Sequence, residues 1–198
     1  MPDVRKRVII ITDGDRVAGR TVKIAAKNVG ARVISLTTGN PTPIPGQKVV
    51  ELIKKAPTDP VIIMVDDKGT CGFGKGEQVL EYVVKHPDVN VIGAVAVASN
   101  TSGTEGIKVD ESVTKDSAIV QGPVDKQGHP EKEGNRFLEG DTVDVLSQLD
   151  IPVVIGTGDT GKMEFADDWA RGAPITTKAL LEIINRSEYN GTNNQHSI

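Results

Sequence analysis

The chain has 198 residues, enough to bury one sizeable hydrophobic core, and a single domain is the expected arrangement. Hydrophobic residues make up 37% and charged residues 25%, which is ordinary for a soluble globular protein. A formal net charge of −4 and an aromatic content of 3% argue against nucleic-acid binding and against a general attraction to anionic membranes.

The sequence contains no membrane-spanning or signal-peptide pattern, since no apolar stretch approaches the roughly 20 residues that a span needs. We therefore expect a soluble protein with no direct membrane insertion, whose membrane association would go through a partner. Cys71 is the only cysteine, so no intrachain disulfide can form, which fits a reducing compartment.

The first predicted element is a strand, because five apolar or β-branched residues run from Val8 to Thr12 without a polar break. Such a run, closed by turn residues, is typical of a strand buried on both faces. The turn residues that close it are Asp13, Gly14 and Asp15. Residues 16–29 then have helical spacing, and Gly30 stands where a helix C-terminus favours glycine.

Strands and helices alternate along the rest of the chain. We predict strands at residues 31–37, 61–65, 89–98 and 151–155, and helices at residues 47–56, 77–85, 141–149 and from Pro174 to near Arg186, with Asp141 as an N-cap. Residues 163–171 allow one or two helical turns. Residues 103–140 are polar and rich in glycine, and indicate a β-hairpin or flap inserted between sheet units. Residues 188–198 are expected to form a flexible C-terminal tail.

Five strands alternating with helices predict an α/β fold with a doubly wound, mostly parallel five-stranded sheet. The expected architecture is a flavodoxin-like or Rossmann-like three-layer sandwich in one domain over residues 1–187. We favour the strand order 2-1-3-4-5, which places the ends of strands one and three side by side. The acidic residues that follow these two strands would then converge: Asp13, Asp15, Asp66 and Asp67.

Two interpretations of these four carboxylates remain open. Clustered acids repel one another, and a divalent cation such as Mg²⁺ or Ca²⁺ relieves that repulsion, with Asp13, Asp15 and Asp66 as the predicted ligands. Alternatively, the same residues cap helices and shape turns, because Asp is common at both places for local reasons.

An aspartate pair after an apolar strand is also similar to the nucleophile motif of haloacid-dehalogenase-type phosphatases. In that pattern Asp13 would attack phosphorus, Asp15 would act as acid and base, and the GDTGKM segment starting at Gly158 would supply a late metal motif. The residues after Asp15 depart from the pattern, because Arg16 and Val17 replace its usual Gly-Thr. A phosphoacceptor receiver, with Asp66 or Asp67 as acceptor and Lys162 beyond strand five, fits less well because receivers are shorter and have no flap.

Residues 156–162 (GTGDTGK) fit the spacing of a phosphate-binding loop, but Met163 stands where the Mg²⁺-binding hydroxyl is needed. The segment could still hold a small anion at a helix start. The further candidate ligand-binding residues lie in this loop and at the end of strand four: Gly156, Gly158, Asp159, Lys162, Asn100 and Thr101. Phe165 and Trp169, four residues apart, indicate either simple packing or a docking surface for another protein.

Several segments together resemble the soluble stage V sporulation protein AE family of spore-forming Firmicutes, over about residues 6–187. The segments are TDGD at 12–15, ISLTTGNPT at 34–42, APTDPVIIMVDDKG at 56–69, VASNTSGTEG at 97–106, VDKQG at 124–128, GDTVDVL at 140–146, IGTGDTGKM at 155–163 and GAPITTKA at 172–179. Each is weak alone, and their shared order makes the assignment specific.

The resemblance implies a non-enzymatic accessory protein. The family is encoded with membrane proteins that move dipicolinic acid across the inner spore membrane, and it is linked to spore formation and germination. The resemblance implies that membrane proteins of that channel system are its partners and that it lies peripherally at the inner spore membrane. A homo-oligomer is also compatible with this setting. The family brings no catalytic motif, so a Mg²⁺-dependent phosphatase using Asp13 remains the alternative function.

Overall fold

The computed structural model describes residues 5–68, 73–99, 106–132, 135–140 and 142–193. The helices are α1 (Arg16–Asn28), α2 (Gly46–Lys55), α3 (Lys75–Val84), α4 (Val143–Ser147) and α5 (Pro174–Asn193). The strands are β1 (Lys6–Ile11), β2 (Arg32–Val33), β3 (Val61–Met64), β4 (Val89–Val97), β5 (Ile107–Lys108), β6 (Glu111–Val113), β7 (Ile119–Val120), β8 (Phe137–Leu138) and β9 (Val154–Thr157).

The main sheet confirms the predicted doubly wound, mostly parallel α/β fold. Its strand order is β2-β3-β1-β4-β9-β6-β7, and every neighbouring pair is parallel except β6 and β7. The sheet has seven strands where the sequence predicted five, because β6 and β7 of the insertion extend it past β9.

The predicted strand order 2-1-3-4-5 is wrong, because β3 lies between β1 and β2. Both orders place β2 at an edge and β3 between two neighbours, and they differ in whether β1 or β3 pairs with β2. Burial does not decide between these two strands, because both contain a run of four buried apolar residues, whereas β2 is only two residues long and exposes Arg32. A short, partly charged strand suits a sheet edge. Strands β1 and β3 nevertheless lie side by side, as the sequence predicted.

Hydrophobic side chains of β1 alternate between the two faces of the sheet, as strand geometry requires. Val8 and Ile10 pack with α2, α3 and α4 on one face, whereas Ile9 and Ile11 pack with α1 and α5 on the other. The result is the expected three-layer sandwich, and both faces of the central strands are buried.

The insertion contains the predicted hairpin, formed by β6 and β7, and a separate two-stranded antiparallel sheet of β5 and β8. Other elements differ in extent from the predictions. The second strand is short and is followed by a 3-10 turn at Ser35–Thr37, and residues 163–171 hold one 3-10 turn, Trp169–Arg171.

Helix α5 continues past its predicted end near Arg186 to Asn193. The residues beyond Arg186 lack the apolar spacing on which the prediction depended. Helix α4 begins at Val143, with Thr142 in the N-cap position. Asp141, predicted as that cap, and the last residues of the predicted tail, 194–198, lie outside the described residues. Across the described ranges, none of the helices is both long and apolar enough to cross a membrane.

Candidate functional site

The ends of β1 and β3 are joined by a hydrogen bond between backbone and side chain. The backbone N–H of Gly14 donates to Oδ2 of Asp66 at 3.0 Å. The backbone at position 14 comes so close to the backbone of Gly39 that only glycine fits there. A Cβ atom on residue 14 would lie 2.2 Å from the carbonyl oxygen of Gly39. Asp66 therefore orders the turn after β1, and its second oxygen accepts from the N–H of Lys68 at 3.1 Å.

Asp15 both caps a helix and binds a cation. Its Oδ1 accepts the N–H groups of Val17 at 2.8 Å and Ala18 at 2.9 Å, which satisfies donors in the first turn of α1. Its Oδ2 accepts from Nζ of Lys162 at 2.7 Å. Although burial opposes it, the bond from Lys162 and the two backbone N–H donors hold the pKa of Asp15 below its ordinary value.

Lys162 links the ends of β1 and β9. Besides Asp15, its Nζ donates to Oδ1 of Asp159 at 2.9 Å. The other oxygen of Asp159 lies 3.6 Å from Nζ of Lys126, a residue of the insertion. The two carboxylates together hold the pKa of Lys162 above its usual value, against the opposing effect of burial. We name the five residues that meet here the strand-end ion cluster: Asp13, Asp15, Asp159, Lys126 and Lys162.

Asp13 is the buried acid of this cluster, with 9% of its surface exposed. Burial, and next the negative charges of Asp15, Asp159 and Asp66, raise the pKa of Asp13 from 3.8 to about 7. Oδ1 of Asp13 accepts a weak hydrogen bond from the N–H of Asp15 at 3.3 Å. With its raised pKa, the Asp13 carboxyl group keeps its proton to a higher pH than an exposed aspartate does, and in the protonated form it can donate as well as accept a hydrogen bond.

Asp67 serves a different helix of the structure. Its two oxygens accept the N–H groups of Gly76 at 2.6 Å and Glu77 at 2.8 Å, so it caps the start of α3. The capping interpretation is thus correct for Asp67. Asp159, which was predicted as a candidate ligand-binding residue of the glycine-rich loop, takes the place near Asp13 and Asp15 that Asp67 was expected to fill.

The described residues include no group of three or more histidine, cysteine or acidic side chains positioned to hold a metal ion. In the observed arrangement the ammonium group of Lys162 lies between two of the carboxylates. Metal binding by Asp13, Asp15 and Asp66 stays a prediction.

The glycine-rich loop after β9 is not followed by a helix, so its predicted role at a helix start is wrong. Its N–H groups are already bonded: Asp159 donates to Lys126 at 2.9 Å, and Gly161 to Oδ2 of Asp167 at 3.0 Å. Gly156 and Gly158 are needed for close packing, because a Cβ atom would lie 2.2 Å from the Ser112 hydroxyl or 2.7 Å from the insertion backbone. Asn100 and Thr101 lie outside the described residues.

Two residues at this edge escaped the sequence predictions. Asp167 is fully buried and accepts four hydrogen bonds, from the N–H of Gly161 and from Ile175 and Thr176 at the start of α5. Burial raises its pKa above the ordinary value even though these bonds favour the charged form. The sequence signal for the capping role of Asp167 was the position of an acidic residue shortly before Pro174, the first residue of α5. Lys126 gave no signal, because only the folded insertion brings it to Asp159.

The chain between Lys162 and Asp167 makes an unusual turn. Met163, Glu164 and Phe165 have φ angles of 48°, 55° and 66°, so three successive non-glycine residues are left-handed. Each such residue costs about 1–2 kcal/mol. The turn buries Met163 and leaves Phe165 72% exposed, with Trp169 46% exposed beyond it. Packing against the rest of the protein therefore leaves a large part of both aromatic rings exposed.

The fold and the site together define a doubly wound α/β protein with an ion-paired polar cluster at the carboxyl edge of its parallel sheet. Residues 7–187 match the family model described as Stage V sporulation protein AE1, SpoVAE, and the chain belongs to this family of sporulation proteins. The match confirms the resemblance found in the sequence. Comparisons with curated proteins and with solved structures gave no match.

Proposed function

We propose that this chain is a non-enzymatic accessory protein of the dipicolinic acid channel machinery of the inner spore membrane, acting in sporulation and germination. It is positioned peripherally by membrane proteins of that system and binds a divalent cation or a small anion at the strand-end ion cluster. Membership of the sporulation family supports the setting of the proposal. The bridging of Asp15 and Asp159 by Lys162 supports the binding part.

The cluster offers charges of both signs to a ligand. Lys126 and Lys162 suit an anion, and Asp13, Asp15 and Asp159 suit a cation. The salt bridge between Lys126 and Asp159 is long, at 3.6 Å, so its rearrangement around a ligand would forfeit little energy. A calcium chelate of dipicolinate presents a cation and carboxylates in one species, and it therefore matches such a mixed site.

The role of Asp15 argues against catalysis. A general acid needs a proton to give at working pH, whereas the Lys162 bond and two backbone N–H donors keep Asp15 ionised. The same bonds tie its carboxylate to the start of α1.

Isothermal titration with Mg²⁺, Ca²⁺ and dipicolinate, separately and together, tests the binding part. Binding by the wild type that Lys162→Met and Asp13→Asn weaken at least tenfold would support it, with Asp116→Asn, an exposed acid, as the matched control. Absence of heat with every ligand would remove the binding part.

The accessory role needs a separate measurement in spores. A spore-forming host whose own copy is deleted should make spores with less dipicolinic acid or with slower release on germination, and the wild-type gene should restore both. Normal content and normal release in the deletion strain would contradict the role.

A phosphatase remains the second candidate because Asp13, Asp15, Asp159 and Lys162 converge, as that mechanism requires. Turnover of phosphomonoesters with Mg²⁺, lost in Asp13→Asn, would establish it. No turnover across a substrate panel, together with no thermal stabilisation by beryllium fluoride, would exclude it.

A further inference from the structure

Helix α1 carries a row of positive charge on its outward face. The row consists of four exposed cations at spacings of four, three and four residues, which places them on one side of a helix: Arg16, Arg20, Lys23 and Lys27. No acidic residue occurs in α1. Within the part of the chain that the structure describes, none of the four cations takes part in an ion pair or a side-chain hydrogen bond.

This row lowers the stability of the helix that carries it. Arg16 and Arg20, like Lys23 and Lys27, are like-charged pairs four residues apart, and each such pair is unfavourable by a few tenths of a kcal/mol. Arg16 also lies at the helix N-terminus, where the helix dipole disfavours a cation, whereas Lys27 lies in the last turn, where the dipole favours one. Local stability therefore does not account for the complete row, whereas an anionic partner would.

Two exposed aromatic rings lie beside the row. The 3-10 turn that contains Trp169 packs against α1, and the Asn28 side chain at the end of α1 donates to the carbonyl oxygen of Gly172 at 2.9 Å. Phe165 precedes this turn and is the most exposed large hydrophobic residue described. We name this surface the basic-aromatic face: Arg16, Arg20, Lys23, Lys27, Phe165 and Trp169.

We propose that the basic-aromatic face binds the surface of an anionic phospholipid bilayer. Cations attract anionic headgroups, and neighbouring Trp and Phe rings enter the interfacial layer, so the two together give stronger attachment than either alone. An aromatic content of 3% disfavours nucleic acid as the occupant, because few rings are available to stack on bases. A protein interface would favour a contiguous apolar centre, whereas this surface combines four cations with two aromatic rings.

The proposal adds a direct lipid contact to the peripheral position described above, and it involves different residues from the strand-end ion cluster. Loss of ligand binding at that cluster would leave the lipid contact intact, and the reverse also holds. The failures of the two proposals are therefore distinguishable.

The full chain provides its own reporter, because Trp169 is the only tryptophan. Titration with phosphatidylglycerol vesicles should shift its fluorescence to shorter wavelength, and brominated acyl chains should quench it. Phosphatidylcholine vesicles should leave the emission unchanged. An unchanged spectrum with phosphatidylglycerol would overturn the proposal, as would a shift produced only by an acidic polypeptide or a nucleic acid.

A charge-reversal pair separates this face from general electrostatics. Arg20→Glu with Lys23→Glu should weaken vesicle binding at least tenfold, given about 1 kcal/mol for each cation near an anionic surface. These changes relieve like-charge repulsion in α1, so the variant should stay folded, which circular dichroism checks. The matched control is Lys75→Glu with Lys108→Glu, two exposed lysines in α3 and β5, on the opposite side of the sheet. Equal loss of binding in both variants would overturn the assignment to the basic-aromatic face.

Discussion

Replacing Asp13 by asparagine should make the protein more stable at alkaline pH, and hardly change it at acid pH. Burial and neighbouring carboxylates raise the pKa of Asp13 to about 7 in the folded chain, against 3.8 in an unfolded one. The folded state thus holds a proton at pH values where the unfolded chain has released it. The stability contributed by Asp13 is fully present below pH 3.8 and is lost as pH rises through about 7.

The magnitude follows from the size of the shift. Each pKa unit corresponds to about 1.4 kcal/mol, so a shift of roughly three units corresponds to about 4 kcal/mol. Asparagine has nearly the same shape and can still accept the N–H of Asp15, but it never ionises. The free energy of unfolding of Asp13→Asn relative to the wild type should therefore increase by about 4 kcal/mol between pH 4 and pH 8.

Urea denaturation of both proteins at intervals from pH 4 to pH 9 measures this difference directly. Asp116→Asn, which removes an exposed carboxylate, should stay within about 0.5 kcal/mol of the wild type throughout. A difference for Asp13→Asn that does not change with pH, or one that decreases as pH rises, would refute the reasoning about the buried acid.

Three further substitutions have definite expectations. Lys162→Met should lower the free energy of unfolding by about 1 kcal/mol at pH 7, because the partly exposed ion pair with Asp15 is lost, and in urea denaturation this loss should persist above pH 3.8 and fade only as pH falls below it, through the lowered pKa of Asp15. Asp167→Ala should lower the free energy of unfolding, measured by urea denaturation, by about 3 kcal/mol or more, because buried backbone N–H groups lose their acceptor. A decrease of less than about 1 kcal/mol would contradict the capping role. Gly14→Ala should cost more than about 3 kcal/mol because its Cβ meets a backbone oxygen, whereas Gly30→Ala, with nothing within 4 Å, should cost about 1 kcal/mol; equal losses would contradict the steric argument.

The sequence predicted the layers of the fold because the signals for them are local. Uninterrupted apolar runs mark β1 and β3, and the spacing of buried residues marks α1. Strand order is not local. It depended on whether β1 or β3 pairs with β2, and the two strands have similar buried apolar runs, so their sequences do not distinguish them.

The candidate site was predicted in part. The sequence placed Asp13, Asp15 and Asp159 at strand ends, and it correctly offered helix capping as one role for Asp15 and Asp67. It could not predict that Lys162 would bridge two of the carboxylates, because that contact joins residues 147 positions apart.

The overall composition of the chain did not predict the basic-aromatic face. A net charge of −4 argued against attraction to an anionic membrane. That sum hides the separation of charge, since the cations of α1 lie on one side of a helix that has no acids. A surface potential depends on where charges lie as well as on their total.

The left-handed turn at Met163 to Phe165 lies between the two surfaces along the chain. Lys162, which holds two acids together, is the residue before the turn, and Phe165 is its last residue. Three residues in the left-handed region store about 3–6 kcal/mol, which is retained only while Asp167 anchors Gly161 to the start of α5. The strand-end ion cluster and the basic-aromatic face therefore lie on either side of one strained turn, three residues apart along the chain.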